Sequence, residues 1–261
     1  MPQSSADLIL TDRRGDGQHI FVITINRPER RNSFDSTTAR AMEAAIDEFE
    51  SDDSLRVAIL TGAGPTFCAG QDLKAAAVGD FGVSERRGGF GVMQRPPRKP
   101  LIAAVEGDAL AGGLELCLAC DLIVATESTR MGLPESARAL IAAGGGLFRL
   151  PQRIPFNIAM ELALTGKPLP ASEFHRLGLV NRLAEPGAAL TEALALAADI
   201  VAAGPLSVTA SKQIVKHSYE WTDEQAWVEQ MTYAKPVMES EDTQEGLRAF
   251  AEKRAPQWKG R

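Results

Sequence analysis

Histidine and cysteine are scarce in this chain: three of each among 261 residues. The histidines, His19, His175 and His217, lie far apart and none sits in an HExxH pattern, so a zinc hydrolase has no support. There is no GxSxG nucleophile elbow either. Three cysteines are an odd number with no disulfide framework. The Cys117-Leu-Ala-Cys120 spacing matches a redox or zinc motif only formally. Redox pairs use a helix N-terminus to lower the thiol pKa, whereas these two lie at the body or end of a predicted helix and read as small buried thiols. Basic charge is not in excess: 28 Lys and Arg against 34 Asp and Glu leave a net charge of −6. Nothing global therefore attracts nucleic acid or an anionic membrane, and an anionic ligand needs a local basic site. No long apolar run is present. The most apolar region, 101–126, is broken by Glu106, Asp108, Glu115 and Asp121, and fails the test of about 18 uninterrupted apolar residues for a membrane span. The opening MPQSSADLILT lacks both the basic and the long apolar parts of a signal peptide, which predicts a cytoplasmic protein. GxGxxG after a strand and GxxxxGK[ST] are absent too, which removes the nicotinamide-type and P-loop nucleotide fingerprints.

What remains is an alternation of elements. QHIFVITINRP reads as a strand running into a loop. Over 36–51, Ala39, Met42, Ile46 and Phe49 recur at helical spacing, with Asp35 or Ser36 as N-cap. RVAILTGAG, KPLIAAVEG and DLIVAT are short buried strands. The Gly- and Arg-rich stretch 79–100 has no clean period and predicts a mobile loop or a partly ordered helix. From Pro151 onward helices dominate, over 190–203, closed by Gly204-Pro205, then 205–217, 222–238 and 241–254. The order is that of an α/β core followed by a helical part.

Two glycine-containing turns follow apolar strands. In TGAGPTFCAGQDLK, Ala69-Gly70 offers backbone N–H groups at a bend. In VEGDALAGGLEL, Gly112 and Gly113 open a helix whose first N–H groups have no intrahelical partner and whose dipole favours negative charge. Two such donors converging on one point make an oxyanion hole, each worth roughly 3–4 kcal/mol to a developing oxyanion. Glu115 lies in the first turn of that helix, and Glu135 follows the next strand in MGLPESARALIAAGGG. As a pair they suit proton abstraction or addition next to a carbonyl. Singly, Glu115 also reads as a dipole-stabilising charge worth about 0.3–1 kcal/mol, and Glu135 as a cap after Pro134.

The motifs NRPERRNSF, FCAGQDL, VEGDALAGGLELCLACDLIVAT, GLPE, AAGGGLFRLP, LTGKPLPASEFHRLGLVNRL and FAEKRAPQWKG, in this order and spacing, resemble the enoyl-CoA hydratase/isomerase (crotonase) superfamily over nearly the whole chain. The resemblance implies an α/β fold, a crotonase-like spiral of ββα units over 1–200, with a C-terminal helical oligomerisation region over 201–261. It implies an oxyanion hole from the N–H groups of Ala69 and Gly112, and a hydratase glutamate pair at Glu115 and Glu135. The implied reaction is syn addition of water to a trans-2-enoyl-CoA. Glu115 would deprotonate the water attacking C3, and Glu135 would deliver a proton to C2. No metal and no separate cofactor are called for, since coenzyme A is part of the substrate.

The resemblance further implies that coenzyme A lies along Arg31, Gln71, Asp72, Leu73 and Lys74, largely through backbone contacts. Lys253 would contribute from the same or a neighbouring subunit, and Phe250 would pack beside the thioester tail. The implied partners are an acyl-CoA thioester and further copies of the chain, as a homotrimer or homohexamer, with no nucleic acid and no membrane. Two departures stand out: Ala111 replaces the first of three glycines the family commonly carries, which narrows the turn, and AAGGG (142–146) replaces a Pro-Gly-Ala-Gly-Gly run. Isomerisation of a 3-enoyl-CoA, or dehydration of a carnitinyl or steroid side-chain thioester, fits the same resemblance. A non-catalytic RNA-binding or scaffold role is opposed by the acidic pI and the glutamate pair.

Overall fold

A computed structural model of the chain describes residues 8–261. Residues 1–7, within the segment read above as lacking a signal peptide, lie outside the described residues. Antiparallel strands β1 (Ile9–Arg14) and β2 (Ile20–Ile25) lead into helix α1 (Ser36–Ser51). Of the two capping candidates it is Asp35 that serves, its side chain accepting the Thr38 N–H at 2.8 Å. Three similar units follow. The first is β3 (Val57–Gly62), β4 (Thr66–Cys68) and the single-turn α2 (Leu73–Ala76). A two-stranded hairpin, β5 (Val83–Ser84) and β6 (Gly88–Gly89), separates it from the second, β7 (Leu101–Val105), β8 (Asp108–Leu110) and α3 (Gly112–Ala119). The third is β9 (Leu122–Thr126) and β10 (Arg130–Gly132) with α4 (Gly146–Arg153) and α5 (Phe156–Thr165). β11 (Leu169–Pro170), α6 (Ala171–Arg176) and β12 (Arg182–Ala184) complete the sheets. Helices α7 (Ala189–Ala202), α8 (Pro205–His217), α9 (Asp223–Met238) and α10 (Glu241–Glu252) end the chain.

The long first strand of each unit joins one sheet, in the order β1-β2-β3-β7-β9-β12, parallel except at β1. The central strands β3 and β7 are buried almost throughout, as parallel strands covered on both faces must be, which is why VAILT and LIAAV read as continuous apolar runs. Strand alternation divides the sheet's side chains between two layers. Phe21, Ile23 and Ile25 face a large core with Met42, Ile46 and Phe49 of α1, while Ile20, Val22, Val57, Ile59 and Ile102 face Ala189, Ala193 and Ala197 of α7.

The short second strands form another sheet, β11-β10-β8-β4, in which β4, β8 and β10 run parallel side by side. Their C-terminal ends therefore emerge together, and each delivers its following turn to the same place: Ala69 to Gln71, Ala111-Gly112, and Leu133 to Glu135.

The stretch 79–100 is neither a mobile loop nor a helix. The Arg86 and Arg87 N–H groups donate to Glu43 Oε2 on α1 at 2.9 and 2.8 Å, Arg87 pairs with Asp47 at 2.8 Å, and Phe90, Val92 and Met93 are buried. Phe90 stacks on Phe34 with ring centroids 4.3 Å apart. Tertiary partners order this segment in place of any local period.

Candidate active site

Helix α3 is buried on every side, and Glu115 is its one charge. A helix apolar all round belongs in a core, so the carboxylate needs partners from elsewhere. They come from the start of α4 and the loop ahead of it: the Gly146 N–H donates to Glu115 Oε1 at 2.9 Å, and the Gly144 N–H also favours the charged carboxylate. Both positions are glycine for want of room. A Cβ on Gly144 would stand 2.6 Å from Glu115 Oε2, and one on Gly146 3.1 Å from Glu115 Oε1. Burial raises the Glu115 pKa, opposed by the Gly146 and Gly144 N–H groups and then by the Arg149 cation.

Glu135 does not cap the short 3-10 turn that follows it; its side chain makes no capping hydrogen bond. Its Oε2 is buried and has no hydrogen-bond partner among the described residues. Burial pushes this carboxyl up to about 7, its own backbone N–H pulls it down, and the neighbouring Glu115 charge pushes it further up. The two glutamates that the sequence sets 20 positions apart thus act on each other within one site, both raised by burial, with N–H groups and a cation opposing the rise at Glu115.

Above them lie the backbone donors. Gly112 is the first residue of α3, and among the described residues its N–H has no acceptor. The expectation for Ala69 needs correcting: its N–H donates to Arg31 O at 3.0 Å and is spent. The segment 69–72 pairs with 31–34, where the Phe34 N–H donates to Gly70 O and the Asp72 N–H to Phe34 O. That pairing turns the Gln71 N–H outward, and it too has no acceptor among the described residues. Gly70, at φ +97°, lies directly against Gly112; a Cβ on it would sit 3.0 Å from the Gly112 nitrogen and 3.0 Å from the Ala111 methyl. The free donors therefore flank a glycine contact that admits no side chain, with the Ala111 methyl beside it. On the other flank the Phe90 ring stands 2.5 Å from where a Cβ on Gly112 would be.

Of the segment assigned to coenzyme A, the structure brings Gln71, Asp72, Leu73 and Lys74 to the edge of this site, with Arg31 alongside. The polar side chains of the first two are engaged elsewhere. Asp72 is the N-cap of α2, accepting from the Lys74 and Ala75 N–H groups, and pairs with Arg27 at 3.3 Å. Gln71 Oε1 accepts the Gly82 N–H at 2.9 Å, and its Nε2 donates to Asp72 O at 3.1 Å. Leu73, Lys74 and Arg31 are exposed. Phe250 and Lys253, at the end of α10, are not brought to the carboxylates: Phe250 is 87% exposed. Sequence reasoning missed Gly144 and Gly146 as donors, Gln71 as the residue with the free N–H, and Arg149; the GGG run before α4 was the visible signal. The three cysteines are free and buried, with burial pushing Cys68 and Cys120 up to about 12, so they are inert packing groups.

A carboxylate pair beneath backbone N–H donors at a helix start, on short parallel strands of a repeated ββα unit, defines the class. The chain belongs to the enoyl-CoA hydratase/isomerase family, whose model matches residues 15–261, and it is an enzyme of that family. Its relatives include the enoyl-CoA hydratase EchA19 of Mycobacterium tuberculosis, 40% identical over 259 residues, covering 97% of this chain and 96% of that protein. The carnitinyl-CoA dehydratase of Proteus mirabilis is 40% identical over 254 residues, 93% of this chain and 95% of the other. Among solved structures, an enoyl-CoA hydratase from Mycobacterium tuberculosis superposes with a TM-score of 0.94 at 52% identity, covering 98% of this chain and all of that one.

Proposed function

We propose that the chain is an enoyl-CoA hydratase, adding water reversibly and syn across the double bond of a trans-2-enoyl-CoA. Glu115 takes a proton from water as the hydroxyl adds to C3, Glu135 gives a proton to C2, and the Gly112 and Gln71 N–H groups hold the thioester oxygen while it carries enolate charge. The observation that carries this reading is the contrast between the two carboxyls. Burial raises both carboxyls, but at Glu115 the Gly146 N–H bond, the Gly144 N–H and the Arg149 cation oppose it, whereas Glu135 is pushed up to about 7 and its Oε2 has no partner among the described residues. A base and an acid are thus poised together near neutrality. The thioester supplies the electron sink, so the scheme draws on no separate cofactor. Coenzyme A runs along Arg31 and 71–74, with Lys253 and Phe250 supplied from a neighbouring copy of a trimer or hexamer in the cytoplasm.

The test is the loss of conjugated-thioester ultraviolet absorption from crotonyl-CoA. Glu115→Gln and Glu135→Gln should each lower kcat by about 10²–10⁴-fold; full activity in either sinks the two-glutamate scheme. A second reading, dehydration of a hydroxylated acyl-CoA of the carnitinyl type, is favoured by one specific observation. The carnitinyl-CoA dehydratase relative is as similar, at 40% identity, as the hydratase relative. Product analysis on a small panel of CoA esters separates the two.

A further inference from the structure

Arg149 lies on α4, half-buried, and grips two parts of the site at once. Its Nη2 donates to Met93 O at 2.6 Å and its Nη1 to Gly144 O at 3.4 Å. Gly144 O lies two residues ahead of the Gly146 N–H that binds Glu115. The guanidinium fits because residue 145 is glycine: at φ +106°, a Cβ there would stand 2.8 Å from Nη1. The Phe148 ring centroid lies 5.4 Å from the guanidinium carbon. Met93, held by the same side chain, places its Sδ 2.6 Å from where a Cβ on Gly144 would be, beside Glu115 Oε2.

We propose that Arg149 is a positioning residue for Glu115: it pins the Gly144–Gly146 loop with the Gly146 N–H on the carboxylate, latches the Met93 segment against it, and faces Glu115 with a fixed positive charge. The inference rests on the reading that Glu115 works as a carboxylate. The charges around it are few. Glu115 is faced by Arg149 and, with the same sign, by Glu135. Arg149 is faced by Glu115, Arg153 and Cys120, and Lys216 also feels it. Arg153 is committed to the Leu118, Cys120 and Asp121 carbonyls. Burial already works against the Glu115 charge, so loss of the cation shifts its ionisation to higher pH.

Two readouts test this. One is the pH profile of kcat/KM for crotonyl-CoA hydration; the other is an infrared titration of the Glu115 carboxyl in ligand-free protein, assigned by the band lost in Glu115→Gln. Arg149→Met and Arg149→Gln should move both the acid limb and the infrared midpoint to higher pH. Arg149→Lys, which keeps the cation, should bring both midpoints back while kcat stays about tenfold low, because the two-carbonyl grip is gone. Unmoved midpoints in folded Met and Gln variants, with activity lowered equally at every pH, would show a structural role only and overturn the inference. If the wild type hydrates no enoyl-CoA, the functional reading fails and the infrared midpoint alone still decides this one. Should neither neutral variant fold, Arg149→Lys decides: lowered kcat at unchanged KM supports the grip, and wild-type kcat refutes it.

Discussion

At the scale of the residue, Glu135 carries a cost that can be measured without substrate. Its carboxyl is raised from the ordinary 4.5 to about 7. Between those values the folded state keeps a proton that the unfolded chain has released, so stability falls as pH rises through the window. The penalty is absent below pH 4.5 and complete above 7. Glu135→Gln should therefore be more stable than the wild type above pH 7, by about 1–2 kcal/mol after discounting for solvent around a half-buried group, with the difference vanishing below pH 4.5. Urea midpoints for the two proteins at pH 4, 6 and 8 check this; a constant difference would mean that the carboxyl is not perturbed. The glutamates themselves were legible in the sequence, each beside a glycine or proline turn. The donor at the first turn was not, because in an extended segment the outward N–H is set by its pairing partner, here 31–34, and by nothing in FCAGQDL itself.

Elements tell a similar story. The period of α1 and its Asp35 cap, the apolar runs of β3 and β7, and the Gly204-Pro205 stop were all local signals, and all are found within a residue or two of their expected places. The 79–100 segment was illegible because its order comes from Glu43 and Asp47 on α1 and from Phe34, none adjacent in sequence. At the start of α3, Ala111 adopts φ +54° and ψ −126°, a conformation that favours glycine and costs another residue about 1–3 kcal/mol. Ala111→Gly should relieve that strain at a cost of about 0.5–1 kcal/mol in unfolded-chain entropy. The net gain, about 1 kcal/mol, should raise Tm by about 2–4 °C. A lower Tm in the glycine variant would show that the methyl contact with Gly70 outweighs the strain.

The whole molecule leaves apolar surface uncovered at its C-terminal end. Tyr219, Trp227, Val228, Met231, Met238 and Phe250 are all exposed, and neither α8 nor α9 has a buried residue, although Lys212 fastens α8 to the core through the Pro97 and Lys99 carbonyls. Trp227, Met231 and Met238 share one face of α9 by helical spacing. No single helix among the described residues is long and apolar enough to cross a membrane. Packing against copies of the same chain would cover that face, and a trimer or hexamer is the expected state. Light scattering should give a mass of three or six chains, and Trp227→Glu with Met231→Glu should lower it. A monomeric wild type would remove the neighbouring-copy roles assigned to Phe250 and Lys253.

The sequence by itself determined the α/β order, the capped helices, the paired strand-then-glycine turns and the two carboxylates, because periodicity, capping and turn chemistry act over a few residues. Only the tertiary structure decided which backbone groups serve those carboxylates. Gly144 and Gly146 reach Glu115 from some thirty positions away, Gln71 rather than Ala69 holds the free N–H, and Arg149 joins the Gly144 loop to the Met93 segment. Each of these depends on segments distant in the chain, 31–34, the Met93 segment and the Gly144–Gly146 loop, being brought beside the parallel strands β4, β8 and β10, and such pairing is a property of the assembled fold rather than of any one strand.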